Sequence, residues 1–340
     1  MFLIFKVQIY KKILKFGAQD FVSVSSFFLL YVAIFFYFVL RQAQDDKIKK
    51  GFPLPRARRR LVRATIQGSK FYQYAKKMKD YLNINKKAWN NKTEVHIASD
   101  FYDNDRFLEG KSTLNSIELE LLGDIKGKSI LHLQCHFGQD TMTFSRMGAK
   151  ATGVDFSETA IARAKEFNMQ LGLDASFVCC DIYDLPNQLT EKFDIVFTSY
   201  GTIGWLPDLD KWAKVVSIFL KPDGKFVMAD FHPVVWMYDN DFREVFYSYF
   251  NIEPIIEQET GTYADQDSEI ETTSVGWNHP ISDILNSLIS NGLSISNFNE
   301  YDYSPYNCLN EMEEFALNKF RIKHFGNKIP MVYAIEASKK

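Results

Sequence analysis

The stretch SILHLQCHFGQDTMTFSRMG, residues 129–148, decides the fold. Residues 129–135 form a short apolar run of the kind that fills a buried parallel strand. His136-Phe137-Gly138 then turn the chain, and Thr141 to Met147 continue as a helix closed by Gly148. The same unit recurs downstream. ATGVD ends a second strand at Asp155, and Ser157 with Glu158 and Thr159 opens a helix that runs to Gly172. ASFVCCD ends a third strand at Asp181, and FDIVFTS, residues 193–199, is a fourth. A helix from Asp208 to Leu220, a turn at Lys221–Gly224 and the strand KFVMADF complete the series. Strands alternating with helices predict an α/β domain whose ligand sits beyond the carboxyl ends of the strands.

Working outward, helices are expected from Lys79 to about Ile97 and from Ser112 to Leu122, ahead of the core at 123–231. Residues 232–278 hold nine aromatic side chains, and the alternation in EVFYSYF predicts antiparallel strands there. A closing helix at Ser282–Ser290 follows, then a strand pair from GLSISNFNEYDYS and IPMVYAIEA, within 279–340. The first 77 residues are of another kind: they carry 16 Lys/Arg against 3 Asp/Glu, whereas the remainder carries 24 against 39. Phe21 to Leu40 has no charged residue over 20 positions, enough to span a bilayer core at about 1.5 Å per residue. Most basic residues of the segment follow it, which leaves everything C-terminal in the cytoplasm. Two readings of 1–77 stay open, a membrane anchor or a start placed too far upstream, and both put a domain boundary near 78. The acidic balance after residue 77 excludes nucleic acid as the main partner. Cys135, Cys179, Cys180 and Cys308 form no C-x-x-C pair, so neither a metal site nor a disulfide framework is expected.

The span 129–231 resembles class I S-adenosylmethionine-dependent methyltransferases, and LHLQCHFGQDT resembles the cofactor turn of an uncharacterised bacterial branch of them. The resemblance to that branch runs from about Asp80 to Ala337 and includes GTIGWLPD, NEYDYSPYN and IPMVYAIEA. It implies a Rossmann-like sheet with a reversed last strand, S-adenosylmethionine as cofactor and methyl transfer as the activity. The cofactor contacts it implies fall on Gln134, His136, Phe137, Gly138, Asp155, Phe156, Asp181, Ile182 and Ser199. Asp155 would accept from both ribose hydroxyls and Asp181 from the adenine amino group; Asp155 lies 21 residues past Gln134, the spacing of nucleotide-binding folds. The family's turn is acidic-x-Gly-x-Gly-x-Gly, whereas this chain has His132, Gln134, His136 and Gly138, so Gln134 and His136 must point aside or become walls.

Methyl transfer asks an enzyme to align acceptor, methyl and sulfur, and asks for a base only when the acceptor must lose a proton. Tyr200, after the fourth strand, and His232, after the fifth, are the candidate catalytic residues; His232 is equally suited to capping its own turn. Trp205, Trp277 and Tyr303 are the candidate walls of the acceptor site, which predicts a small, partly aromatic or apolar acceptor. Trp89 and Tyr102 are placed either to cap the cofactor or to pack in the core. Two other functions fit less well: a non-catalytic cofactor-binding or membrane-tethered scaffold, and an NAD-type oxidoreductase, which asks for a better glycine fingerprint.

Overall fold

The computed structural model describes residues 80–251 and 253–339. The hydrophobic span 21–40 and the boundary near 78 lie outside them; among the described residues no helix is long and apolar enough to cross a membrane.

Three helices lead in: α1 (Tyr81–Ala98), α2 (Asn104–Leu108) and α3 (Ser116–Leu122). The helix expected from Ser112 starts instead at Ser116, because Asn115 and Glu118 form a capping box there. The core follows as β1 (Ser129–Leu133), α4 (Gln139–Arg146), β2 (Lys150–Asp155), α5 (Glu158–Gln170) and β3 (Ser176–Cys179). It continues through the one-turn α6 (Leu185–Gln188), β4 (Phe193–Ser199), α7 (Leu209–Phe219) and β5 (Leu220–Phe231). Ser157 and Asp208 cap α5 and α7 by accepting from the N–H groups of Ala160 and Lys211.

The seven-stranded sheet has the order β3-β2-β1-β4-β5-β11-β8, where β8 is Leu293–Tyr301 and β11 is Val332–Lys339. β1 to β5 run parallel, whereas β11 pairs antiparallel with both β5 and β8. The reversed last strand expected from the resemblance is therefore present. Period-two alternation splits the buried strand residues between two layers. Leu131, Val196, Phe226 and Ile335 pack with Trp212 and Val216 of α7 and with Ile284 and Leu288 of α8 (Ile281–Ser290). Ile130, Phe197, Val227 and Ala334 pack the opposite face with Ile117, Phe144 and Ile161.

The region between β5 and α8 departs from expectation. EVFYSYF forms no strand; only Val245 makes an isolated bridge, to Tyr238, inside a turn whose N–H groups at Arg243 and Glu244 donate to Asp239. The hairpin comes later, as β6 (Ile255–Thr260) and β7 (Glu271–Gly276). Its anchor is α1, where Asn85 exchanges two 2.8 Å hydrogen bonds with Val275. A second hairpin, β9 (Met312–Ala316) and β10 (Lys319–Ile322), sits between the closing strands where the sequence reading had none.

Candidate functional site

A cavity of about 1050 Å³ opens beyond the carboxyl ends of β1, β2, β4 and β5 and is covered by α1 and the β6–β7 hairpin. Its floor is the turn 134–138. Gln134 and His136, where glycines were expected, hold left-handed backbone at φ 56° and 51°. Such a conformation costs a non-glycine residue about 1–2 kcal/mol. Hydrogen bonds fix both side chains aside. Gln134 Nε2 donates to the Thr202 carbonyl at 2.8 Å, and His136 Nε2 lies 3.0 Å from His96 Nδ1 on α1. Burial drives both histidines neutral, His96 to about 3 and His136 well below its ordinary value. Gln134 Oε1 and His136 Nδ1 are buried with no protein partner, polar atoms that a polar ligand on this floor would satisfy.

Strand-end carboxylates ring the floor. Asp155 Oδ2 accepts from the His136 N–H and Oδ1 from the Ser157 N–H, each at 2.9 Å. Its pKa is pushed up to about 6 by burial, against the lowering effect of those backbone bonds. Asp181, half-buried, caps the short turn after β3 through the Tyr183 N–H and lines the cavity with Ile182. Asp230, on β5, was not singled out in the sequence as a site residue. It is buried and takes the N–H groups of Gly201, Thr202 and Ile203, so it shapes the whole loop after β4. An acid at a third strand end was the signal that could have found it.

All nine candidate cofactor residues line this one cavity, as do Tyr200, Trp205 and Trp277. Trp205 and Trp89 meet edge-on, with ring centroids 5.5 Å apart, and Trp89 also meets His136, so Trp89 covers the turn. Tyr102 lies against Phe137 and lines the cavity too.

Three residues depart from their expected roles. His232 is absent from the cavity wall: it is buried, its Nδ1 accepts from the Val234 N–H at 3.2 Å, and its Nε2 lies 3.0 Å from Glu300 on β8. It caps its turn, and both ring nitrogens are engaged within the protein. Tyr200 is a wall, not a base, because its hydroxyl donates to Glu118 at 3.1 Å and burial holds its pKa well above 10. Tyr303 packs away from the cavity against Tyr301 and under the Lys319 ammonium, and Tyr306 takes its place on the wall. His232→Ala is accordingly expected to lower stability by about 1–3 kcal/mol by urea melting, through the stranded Val234 N–H and the lost packing. Cofactor affinity by calorimetry should stay unchanged; a loss of affinity without a loss of stability would restore a role in the site.

Residues 130–224 match the family model of the methyltransferase domain. Over 188 residues the chain is 25 % identical to a sterol 4-C-methyltransferase of Caenorhabditis elegans, a match covering 55 % of this chain and 54 % of that one. Over 136 residues it is 29 % identical to a ubiquinone biosynthesis O-methyltransferase of Coxiella burnetii, covering 39 % of this chain and 57 % of the other. The chain thus spans little more than half the length of the curated relatives it matches. A crystal structure of an S-adenosylmethionine-dependent methyltransferase from Clostridium acetobutylicum superposes with a TM-score of 0.45 at 18 % identity, covering 75 % of this chain and 98 % of that one.

Proposed function

We propose that this chain, whose residues 130–224 match the methyltransferase-domain family model, is a class I S-adenosylmethionine-dependent methyltransferase that moves a methyl group from that cofactor to a small, largely apolar acceptor held in the same cavity. The observation that carries the reading is the shared cavity: the turn 134–138 and Asp155 form one part of it, and aromatic side chains line the rest. The cofactor fits the residues present. The orphaned Gln134 Oε1 and His136 Nδ1 offer hydrogen bonds on the floor, and Asp155 has lone pairs left for two ribose hydroxyls. Asp181, also on the cavity wall, is the residue assigned on this reading to accept from the adenine amino group. When bound, the cofactor supplies an electrophilic methyl on a positively charged sulfur.

The protein's own contribution is alignment and exclusion of water. Trp89, Trp205 and Trp277 wall the cavity and keep water from the reacting atoms. Among the described residues, both lysines on the wall are already paired, Lys92 with Glu259 and Lys111 with Asp103. The wall therefore carries a surplus of carboxylates, which favours a cationic cofactor and opposes phosphorylated or carboxylate-bearing acceptors. Nucleic acid is disfavoured on the same ground. The catalytic unit on this reading is 78–340.

Calorimetry with S-adenosylhomocysteine and with NAD, on the full chain and on residues 78–340, tests the reading. Saturable binding of the first and none of the second is expected, with equal affinity in both forms. Binding of NAD alone would replace methyl transfer with hydride transfer.

A further inference from the structure

One polar cluster on the cavity wall is left unused by the cofactor contacts above. Asp140, in the first turn of α4, faces the cavity. Its Oδ1 accepts from the Thr113 hydroxyl, while its Oδ2 has only Ser199 Oγ, at 3.5 Å, the outer limit of a hydrogen bond. Behind it, Glu118 of α3 is fully buried, with Oε1 taking two donors from Asn115 and Oε2 taking the Tyr200 hydroxyl. The ionisable groups facing this pair come from five other segments: Tyr102 after α1, Cys135 in the cofactor turn, Tyr200 after β4, Tyr301 at the end of β8 and Tyr306 in the loop beyond it. None of these is a cation, and neither carboxyl is in an ion pair among the described residues. Glu118 is pushed up to about 7 by burial and by the neighbouring Asp140, and Asp140 is raised by burial.

Two carboxyl groups buried together without a counter-charge are an expensive arrangement unless a cation visits them. Three tyrosines share this stretch of wall with Asp140 and interact with it electrostatically. Tyr102, Tyr200 and Tyr306 all line the cavity here, Tyr200 and Tyr306 meeting edge-on at 5.1 Å between ring centroids. Ring faces beside a carboxylate form a receptor for an ammonium group. The surroundings are also wrong for an anion, and a neutral hydroxyl would leave the charge of the pair unbalanced.

We propose that the methyl acceptor is a primary or secondary amine, held as its ammonium by Asp140 among Tyr102, Tyr200 and Tyr306, and that Asp140 is the catalytic base that takes its proton. The proposal rests on the methyl-transfer reading of the preceding subsection and names the substrate class of that same cavity. The ammonium N–H gives its proton to the Asp140 carboxylate, which frees the nitrogen lone pair. That pair forms the new N–C bond to the methyl, and the old C–S bond breaks with its electrons going to sulfur. The products are a methylated ammonium and S-adenosylhomocysteine, and the Asp140 proton returns to water. Glu118 acts as a positioning residue, holding Tyr200 in place and keeping a second ionisable carboxyl beside the base.

The test is calorimetry on the full chain saturated with S-adenosylhomocysteine, using benzylamine and its near-isostere benzyl alcohol as probes. Benzylamine should bind at least about tenfold more tightly than benzyl alcohol, and Asp140→Asn should erase that preference while leaving S-adenosylhomocysteine affinity within about twofold. Glu118→Gln, which keeps the buried volume, should reduce the preference less than Asp140→Asn does. Equal binding of the two probes by the loaded wild-type chain would overturn the amine assignment alone. So would a preference for benzylamine that survives in a cooperatively melting Asp140→Asn variant. A wild-type chain that takes up no S-adenosylhomocysteine would overturn the methyl-transfer reading and this proposal with it.

Discussion

Replacing Asp155 with alanine is expected to weaken S-adenosylmethionine binding by about 10- to 100-fold, through the loss of charge-assisted hydrogen bonds worth roughly 1.5–3 kcal/mol. The carboxylate is nearly buried at the end of β2 and serves two masters. Within the protein it takes the N–H groups of His136 and Ser157, which ties the cofactor turn to the start of α5. Toward the cavity its remaining lone pairs face the place where ribose hydroxyls would donate. Only the ionised form can accept from all of them, and burial has moved its pKa up to about 6. The sign follows directly. Ligand binding selects the deprotonated carboxylate, so affinity should be level above pH 6 and fall by up to about tenfold per unit below it. His96 and His136 are already neutral through that range and add no opposing charge. In Asp155→Asn the part of the pH slope due to this group should vanish, while the cooperative melt persists. Wild-type affinity that stays flat from about pH 7.5 to pH 5 would remove Asp155 from the ribose site.

Of the strands that carry the cofactor, β1, β2 and β4 were legible because each lies between parallel neighbours, whereas β3 is an edge strand. Covered on both faces, such strands are apolar throughout, and short runs like ILHL and FDIVF stand out from the helices between them. The acids at their ends could be placed by counting. The acceptor side was legible only in part, because its side chains are brought together by contacts the local pattern does not encode. His232 follows β5 closely, but its partner Glu300 lies on β8, which reaches β5 only through the reversed β11. Glu118 and Asp140 sit on two helices separated by β1, and no spacing rule couples them. The Asn115–Glu118 capping box marks a helix start and says nothing of a buried carboxylate. EVFYSYF misled because alternation specifies a strand only where a second strand is available, and none pairs with it along its length. The β6–β7 hairpin has weaker alternation and forms because Asn85 and Lys92 of α1 hold it.

Gly138→Ala is expected to lower stability by about 2–5 kcal/mol, a large share of the 5–15 kcal/mol typical of a domain. Two separate effects add at this position. The backbone is left-handed at φ 80°, beyond the φ of 56° and 51° at which Gln134 and His136 manage with side chains. A methyl group would also stand 2.5 Å from Phe177 Cε1 and 2.8 Å from its Cζ, and that ring is buried against Ala164 in the layer under α5. Gly172 separates the two effects. It too is left-handed, at φ 62°, but a Cβ there meets nothing within 4 Å, so Gly172→Ala should lose only about 1 kcal/mol from the backbone. Adding Phe177→Leu to Gly138→Ala should then recover part of the loss, a coupling of about 1–2 kcal/mol in a double-mutant cycle read by urea melting. The carbonyl of Gly138 also starts the hydrogen-bond ladder of α4, taking the Met142 N–H at 2.9 Å. Displacing it shifts the turn 134–138 of which Gly138 is part, so cofactor affinity should fall together with stability. If Gly138→Ala and Gly172→Ala proved equally mild, the turn would have room that this packing denies, and the close seat of Gly138 on Phe177 would be disproved.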